Sequence, residues 1–315
     1  MSDYQTETVN VQFINQQFID KIDQGMTKEA GAAMSAFVRQ KLREEGFARK
    51  ILTPQSVTSA ELDRGLDDQP RIIVEKEPDS VAASIALSAN GELRYFKGER
   101  YEVPFYKIES DTFKKSKYEL ATYRTDIRQV IQDNSVKDIQ REEDVNFWNG
   151  VTSIASTAGN ELDYSAAGTG VNFGVRSLMD LVELIVDNFQ KPGKILLPYK
   201  LYLKLISRKA TVIGDIATSD LFRGGDQTNF YGFEIVTTNK SDILTDTTKG
   251  DMAAVFAPEQ YLGQFYSMQD PTVFLKTEKD MVEFSTYESV GIGIGNTDGM
   301  ATAKFDLANG TDPDA

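Results

Sequence analysis

Apolar positions along this chain change period several times, and each change marks an element. Residues 1–26 are polar and weakly patterned, which predicts an extended arm. Met34, Phe37, Val38 and Leu42 then recur at helical spacing behind Thr27, a residue type that caps helices, and Gly46 stops the pattern. This predicts a short amphipathic helix whose single apolar stripe meets a protein core or a neighbouring subunit. From Arg71 to Leu120 the period shortens to that of strands. Arg71-Ile72-Ile73-Val74 is β-branched, Ser84-Ile85-Ala86-Leu87 continues the extended pattern, and Asn90-Gly91 suits a hairpin turn because both residues tolerate positive φ. Leu93-Arg94-Tyr95-Phe96 returns along the hairpin, and Tyr101 to Tyr106 extends it. A two-stranded ribbon with so few apolar partners is marginal alone, so it must lean on another surface.

Residues 124–150 read as helix. Ile127, Val130 and Ile131 share a face, Ser135 is a cap or break, and Gly150 ends the segment after Val145, Phe147 and Trp148. A loose stretch rich in small residues is expected from Thr152 to Gly174. Leu178, Leu181, Val182, Ile185 and Phe189 then form a clean helical stripe, broken by Pro192-Gly193. Ile195-Leu196-Leu197 predicts a short buried strand, with Pro198 at the first turn of a helix running through Arg208. Strands follow at Phe233 to Thr237, Met252 to Phe256, Thr272 to Leu275, Met281 to Phe284 and Ala301 to Phe305, before an acidic tail from Asn309 to Ala315. Helices and strands thus come mixed, an α+β chain.

Composition narrows the chemistry. The 315 residues include no histidine and no cysteine. Histidine is the side chain whose unperturbed pKa lies between pH 5 and 8, and cysteine is the readiest nucleophile and soft metal ligand. A Ser-His-Asp or Cys-His device is therefore impossible, disulfides cannot form, and a zinc site would have to be all-oxygen. A mild pH switch is not expected. Hydrophobic residues at 40% and charged residues at 26% are ordinary globular values. No apolar run approaches the ~18 residues of a membrane span, and the polar, acidic N-terminus is not a signal peptide, so no membrane role and a cytoplasmic origin are expected.

The net charge of −14 argues against a dedicated nucleic-acid binder. Residues 1–60 hold seven acids and seven bases, which leaves the whole deficit in residues 61–315. Within the first part, Arg39, Lys41, Arg43, Arg49 and Lys50 are offset only by Glu44 and Glu45. They read as a solvated helix face or as an arm lying near something anionic.

Candidate sites are few. Gly168-Thr169-Gly170-Val171-Asn172-Phe173-Gly174 precedes a helix, but its spacing is wrong for a dinucleotide fingerprint and it lacks a Lys-Ser/Thr pair. Gly291-Ile292-Gly293-Ile294-Gly295 alternates like a strand, which predicts close backbone packing. Glu142-Glu143-Asp144 could offer a general acid/base pair, but adjacent helical positions do not converge, so a solvated or subunit-facing surface is expected. Asp215, Asp220 and Asp226 lack calcium-loop spacing. Aromatics such as Tyr95-Phe96, Phe105-Tyr106 and Phe265-Tyr266 read as core and interface packing. No catalytic, cofactor-binding or metal-binding residue is assigned, and no enzyme activity or cofactor is expected.

Three stretches, in order, resemble the major capsid protein of tailed bacteriophages, the Hong-Kong-97-type fold. The first is the helix end Arg141-Glu142-Glu143-Asp144-Val145-Asn146-Phe147-Trp148-Asn149-Gly150, similar to the end of the family's spine helix. The second is Lys194 to Pro198 with the helix Tyr199 to Arg208, then Leu221-Phe222-Arg223-Gly224-Gly225 and Tyr231-Gly232-Phe233-Glu234-Ile235-Val236, the order of the family's axial domain. The third is Gly250 to Phe256, followed by the strands from Thr272 to Phe284 and from Ala301 to Phe305.

The resemblance implies an α+β capsid fold in five parts: an N-terminal arm with a short amphipathic helix at 1–68, an extended β-hairpin loop (E-loop) at 69–107, the first part of a peripheral domain with its long spine helix at 108–169, an axial domain at 170–270, and the C-terminal part of the peripheral domain with the tail at 271–315. It implies a structural protein of the virion, assembled in the bacterial host cytoplasm. Its partners would be itself in hexamers and pentamers of an icosahedral shell, a scaffolding protein, a portal, optionally a decoration protein, and double-stranded DNA contacted non-specifically on the inner face. The chain before the hairpin is too short for the cleaved scaffolding region of some members, so a separate scaffold is expected. The hairpin tip Ser88-Ala89-Asn90-Gly91-Glu92 lacks the lysine that a Lys–Asn isopeptide cross-link would use, and Lys97 is the nearest. The alternatives are an encapsulin-type nanocompartment shell, which resembles the same fold, and an acidic soluble hydrolase using a carboxylate pair.

Overall fold

The computed structural model describes residues 46–65, 69–76, 99–122, 127–165, 172–188, 190–206, 229–230, 232–240, 242–246 and 250–305, with 20–21, 24–26 and 84. The helix expected over 27–45, the hairpin from residue 85 to 96 with its Asn90-Gly91 turn, the glycines at 168 and 170, Asp215, Asp220, Asp226 and the acidic tail lie outside the described residues.

At the centre is a seven-stranded mixed sheet. Its members are β7 (Glu161–Tyr164), β8 (Lys194–Pro198), β9 (Asn229–Phe230), β10 (Phe233–Thr238), β11 (Thr245–Asp246), β12 (Gly250–Phe256) and β15 (Met300–Phe305). They run in the order β7-β15-β12-β8-β10-β9, with β11 on β12. The strand β12 is buried on both faces, which is why it reads as a continuous apolar run and not as an alternation. Met252, Ala254 and Phe256 join one core, while Ala253 and Val255 join another. The second core is closed by helices α4 (Val175–Asp187) and α5 (Tyr199–Ile206), whose stripes Leu178, Leu181, Val182, Ile185 and Leu201, Leu205 are buried. Pro198 is the last residue of β8 and not part of the helix; α5 starts at Tyr199.

The opposite face meets helix α3 (Ile127–Ala158), 32 residues and about 48 Å long. Here the sequence reading needs correction. Neither Ser135 nor Gly150 interrupts the helix. Ser135 is buried inside it, and the core row Phe147, Trp148, Val151 and Ala155 runs straight through Gly150. Tertiary burial of that row outweighs the intrinsic cost of one helical glycine, about 1 kcal/mol. The helix stops at Gly159, at φ 77°, where the Asn160 N–H bonds back to the Ala155 carbonyl at 2.9 Å. The loose stretch expected from Thr152 is therefore helix to Ala158 and strand β7 from Glu161.

A five-stranded sheet completes this side. It holds β1 (Pro54–Ser56), β5 (Tyr106–Glu109), β6 (Phe113–Ser116), β13 (Gly263–Glu278) and β14 (Met281–Ile294). The last two are much longer than the short apolar runs suggested, and Lys279 at φ 57° turns between them. A three-stranded sheet of β2 (Asp63–Arg64), β3 (Pro70–Glu75) and β4 (Arg100–Pro104) pairs Arg71 with Pro104 through Glu75 with Arg100, so the two expected ribbon strands meet in antiparallel register. Two short helices, α1 (Phe47–Ile51) and α2 (Lys117–Thr122), were not foreseen; α1 begins where Gly46 was read as a stop. A further one, α6 (Glu259–Leu262), precedes β13.

Candidate functional site

The charged residues with the most specific surroundings lie where α1, α3 and β14 meet. The Arg49 guanidinium donates from Nε to both oxygens of Glu143, at 3.1 and 3.0 Å, and from Nη2 to Glu143 at 2.6 Å and to Glu288 at 2.9 Å. All three side chains are at most 2% exposed. The guanidinium also lies 5.4 Å from the centre of the Phe265 ring. One planar cation thus ties the N-terminal side of the chain, the long helix and the long strand at one point, a geometry that lysine could not reproduce.

One residue along α3, the Asp144 side chain accepts the Ala48 backbone N–H at 3.0 Å, satisfying a free donor at the start of α1. Its other oxygen takes the Lys240 ammonium at 2.7 Å, just past β10. Burial pushes the Asp144 carboxyl above its ordinary value, against the opposing pull of Lys240 and the Ala48 N–H. Glu143 and Asp144 are therefore not the solvated or subunit-facing surface that their acidity suggested; both are fully buried, and of the three acids only Glu142 is exposed. As expected, neighbouring helical positions address different partners. Likewise Arg49 belongs neither to a solvated basic face nor to an anion-seeking arm, whereas Lys50 is exposed. Both glutamates are sealed and held by Arg49, so this cluster joins elements and is no accessible acid/base pair.

Beside this junction α3 carries an open surface. An apolar groove of about 490 Å³ is lined by Phe147, Gly150 and Ile154 of the helix, Ile292 and Ile294 of β14, and Tyr106. An adjoining polar cleft of about 360 Å³ shares Tyr106 and Asn146 and is lined by Glu109, Asp111, Asp138 and Glu142, with Lys107 the one cation among the described residues. The Tyr106 hydroxyl, at the boundary, is buried without a hydrogen-bond partner among the described residues. Burial and the charges of Glu143, Glu288 and Glu142 push its ionisation upward, so it stays neutral.

The glycine run at 291–295 behaves as read. A Cβ on Gly293 would come within 2.3 Å of the Val103 side chain, so β4 packs directly on this backbone. Gly174 precedes α4, where the Ser177 hydroxyl accepts the Gly174 N–H at 3.0 Å. No cluster of metal-ligating side chains occurs among the described residues, and none of their helices is long and apolar enough to cross a membrane. Sequence reasoning missed Glu288 and Lys240; Glu288 could have been suspected because it shares the alternating inward positions of β14 with Val282, Phe284 and Val290.

No family model matches the sequence, and no curated protein matches it. Solved structures do. A chain from the capsid of a native GTA particle superimposes with a TM-score of 0.58 at 14% identity, over 82% of this chain and 89% of that one. A chain of Microbacterium phage Oxtober96 gives 0.57 at 15% identity, covering 84% and 92%. The capsid structure of the cyanophage P-SCSP1u gives 0.55 at 13% identity, covering 81% and 86%. At such identities the likeness is one of fold, and the α+β Hong-Kong-97-type capsid fold expected from the sequence is the fold of this chain.

Proposed function

We propose that this protein is a structural, non-enzymatic shell subunit, the major capsid protein of a tailed phage or a particle built like one. The observation that carries this reading is the extent of the likeness to capsid chains: more than four fifths of this chain and of each solved chain superimpose, so a whole architecture is shared and not one motif. In the shell, copies form hexamers and pentamers that close into an icosahedral head around double-stranded DNA. The five-part division at 68, 107, 169 and 270 applies, with the hairpin between the paired strands β3 and β4 reaching over a neighbour. A separate scaffolding protein guides assembly, a portal occupies one vertex, and the site of action is the virion.

The acidic body suits this role. With a net charge of −14, the shell holds DNA loosely and non-specifically, which permits dense packing and later release. Stability then belongs to the lattice more than to the single subunit. Electron microscopy of the purified protein, alone and co-expressed with its scaffold, tests the reading: closed shells are expected, and a dispersed 35.1 kDa monomer under both conditions refutes it. Nuclease-protected DNA inside the particles separates a phage head from a compartment loaded with enzymes.

A further inference from the structure

We infer that successive copies of this chain meet head to tail through their α4–α5 layer, the start of α5 in one copy seated on the end of α4 in the next. The inference rests on the shell reading above and names a contact that builds its rings.

Two neighbouring helices carry opposite charge blocks. In α4 the acids Asp180, Glu183 and Asp187 follow a single cation, Arg176. From Asn188 to Gly214 the sequence then holds six cations and no acid, and Lys200 and Lys204 of α5 belong to this run. At two ends the sign is the one that the helix dipole disfavours. Asp187 closes α4, whose last turn has no base, and Glu183 shares its face one turn earlier. Both are exposed and without an ion-pair partner among the described residues; Lys191, in the loop after the helix, is the next cation in sequence. Lys200 stands in the first turn of α5, which holds no acid. Negative charge thus gathers at the negative end of one helix, and positive charge at the positive end of the other.

Apolar exposure lies at the same place. Tyr199 is 46% and Leu203 50% exposed, and at a spacing of four they share a face of α5. Lys200 stands beside them, its side chain still 62% exposed although it reaches Asp251 at 2.8 Å. A phenol, an isobutyl group and an ammonium on one face suit a protein surface that bears carboxylates better than they suit a phosphate backbone. The acidic stripe of α4 already takes a phenol, because the Tyr164 hydroxyl donates to Asp180 at 2.9 Å.

Within one chain these two ends stand apart. In the layer on the central sheet, α4 packs on β15 and β12, and α5 on β8 and β10. The end of α4 precedes β8 and the start of α5 follows it, so the five residues of β8 set them about 17 Å apart. The partner of each end therefore comes from another molecule, and a second copy offers to each what it lacks. Because the two patches differ, the contact is heterologous, the kind that closes subunits into rings.

The test is a charge exchange in the full-length protein. Tyr199→Glu with Leu203→Glu makes the start of α5 acidic, and Glu183→Lys with Asp187→Lys makes the end of α4 basic. All four positions are exposed, so each pair should keep the parent's urea midpoint to within about 0.5 M. By native mass spectrometry and electron microscopy, either pair alone should reduce rings and shells by at least about ten-fold, and the chain with all four changes should recover them. A second readout needs no charge change. The natural chain has no cysteine, so Glu183→Cys with Leu203→Cys supplies the only thiols. Mild oxidation of assembled rings should then give a disulfide-linked ladder up to the ring size, whereas neither cysteine alone should link. Dimers from Leu203→Cys alone would reveal a two-fold contact and overturn the inference. Rings without a ladder, rings left intact by both charge pairs, or no recovery in the fourfold chain overturn it too. So do closed shells of the Tyr199→Glu, Leu203→Glu chain that hold no DNA, since α5 would then face DNA and not a neighbour. A parent that forms neither rings nor shells refutes the shell reading and this contact with it; the other results strike the contact alone.

Discussion

Arg49→Met is the most informative single change, because it removes the cation from a sealed cluster and leaves the aliphatic stem. Glu143 and Glu288 would then share a site at most 2% exposed without the guanidinium that bridges them. The least costly escape is for one of them to take up a proton. At pH 7, against an ordinary glutamate value of about 4.3, that costs about 3.7 kcal/mol, at 1.36 kcal/mol for each unit of pH. This agrees with the roughly 3–5 kcal/mol measured when one partner of a buried pair is deleted. The same route predicts that the penalty shrinks to about 1 kcal/mol at pH 5. Urea unfolding of the full-length chain reads it out, with Trp148, the single tryptophan and only 4% exposed, as the fluorescent reporter on α3. At a slope of roughly 3 kcal/mol per molar, the midpoint should fall by about 1 M at pH 7. A variant within about 1 kcal/mol of the parent at pH 7, or a loss that does not shrink at pH 5, would refute the reasoning.

Three further outcomes are expected. Asp144→Asn keeps an acceptor for the Ala48 N–H but loses the Lys240 pair, whereas Asp144→Ala loses the cap as well and should cost about 1 kcal/mol more by urea unfolding. Because burial raises this carboxyl, its contribution is fully present below the unfolded value of 3.8 and is lost as pH rises through the folded one. Asp144→Asn cannot ionise, so the stability of the parent relative to it should fall as pH rises from the unfolded value through the raised folded one; a rise would contradict the assignment. Gly263→Ala places a Cβ 2.3 Å from the Gly293 carbonyl oxygen, backbone that cannot rotate away, and should cost at least about 1–3 kcal/mol in the same assay. Phe47→Ala removes a ring that is 1% exposed and packed on Phe147, with a loss of about 3–5 kcal/mol; a loss under 1 would mean that α1 is not anchored there.

What could be read from the sequence was whatever a local period decides. The stripe of α4 and the strands at 70–75, 194–198, 233–238, 250–256 and 300–305 follow from apolar spacing alone. The long helix was visible, but its end was not. Gly150 and Gly159 look alike in sequence, and only the buried row on either side of Gly150 keeps that position helical. The junction was the least legible part. Glu142-Glu143-Asp144 is an acidic triplet that by composition belongs at a surface. Its burial depends on Arg49, Lys240 and Glu288, which stand 94, 96 and 145 positions from their partners or neighbours in the cluster, beyond the reach of any local pattern. Polar residues are placed by their partners, and partners are tertiary facts.

The missing histidines acquire a different meaning once the junction is known. Composition alone says that no unperturbed side chain titrates near neutrality, and so that a mild pH switch is not expected. Burial then acts on the groups that remain, and in one direction for acids: Asp144, Tyr106 and Tyr164 are all raised. For the phenols this carries ionisation further from the physiological range. For a carboxyl it carries ionisation toward that range from below. Among the described residues, Asp144 is a buried carboxyl moved in this direction, and it holds both the start of α1 and Lys240 just past β10. Protonation there would loosen the pair with Lys240 while relieving the cost of a buried charge. These two effects oppose each other at a single atom, which is why the raised pKa matters more than the salt bridge in deciding the sign.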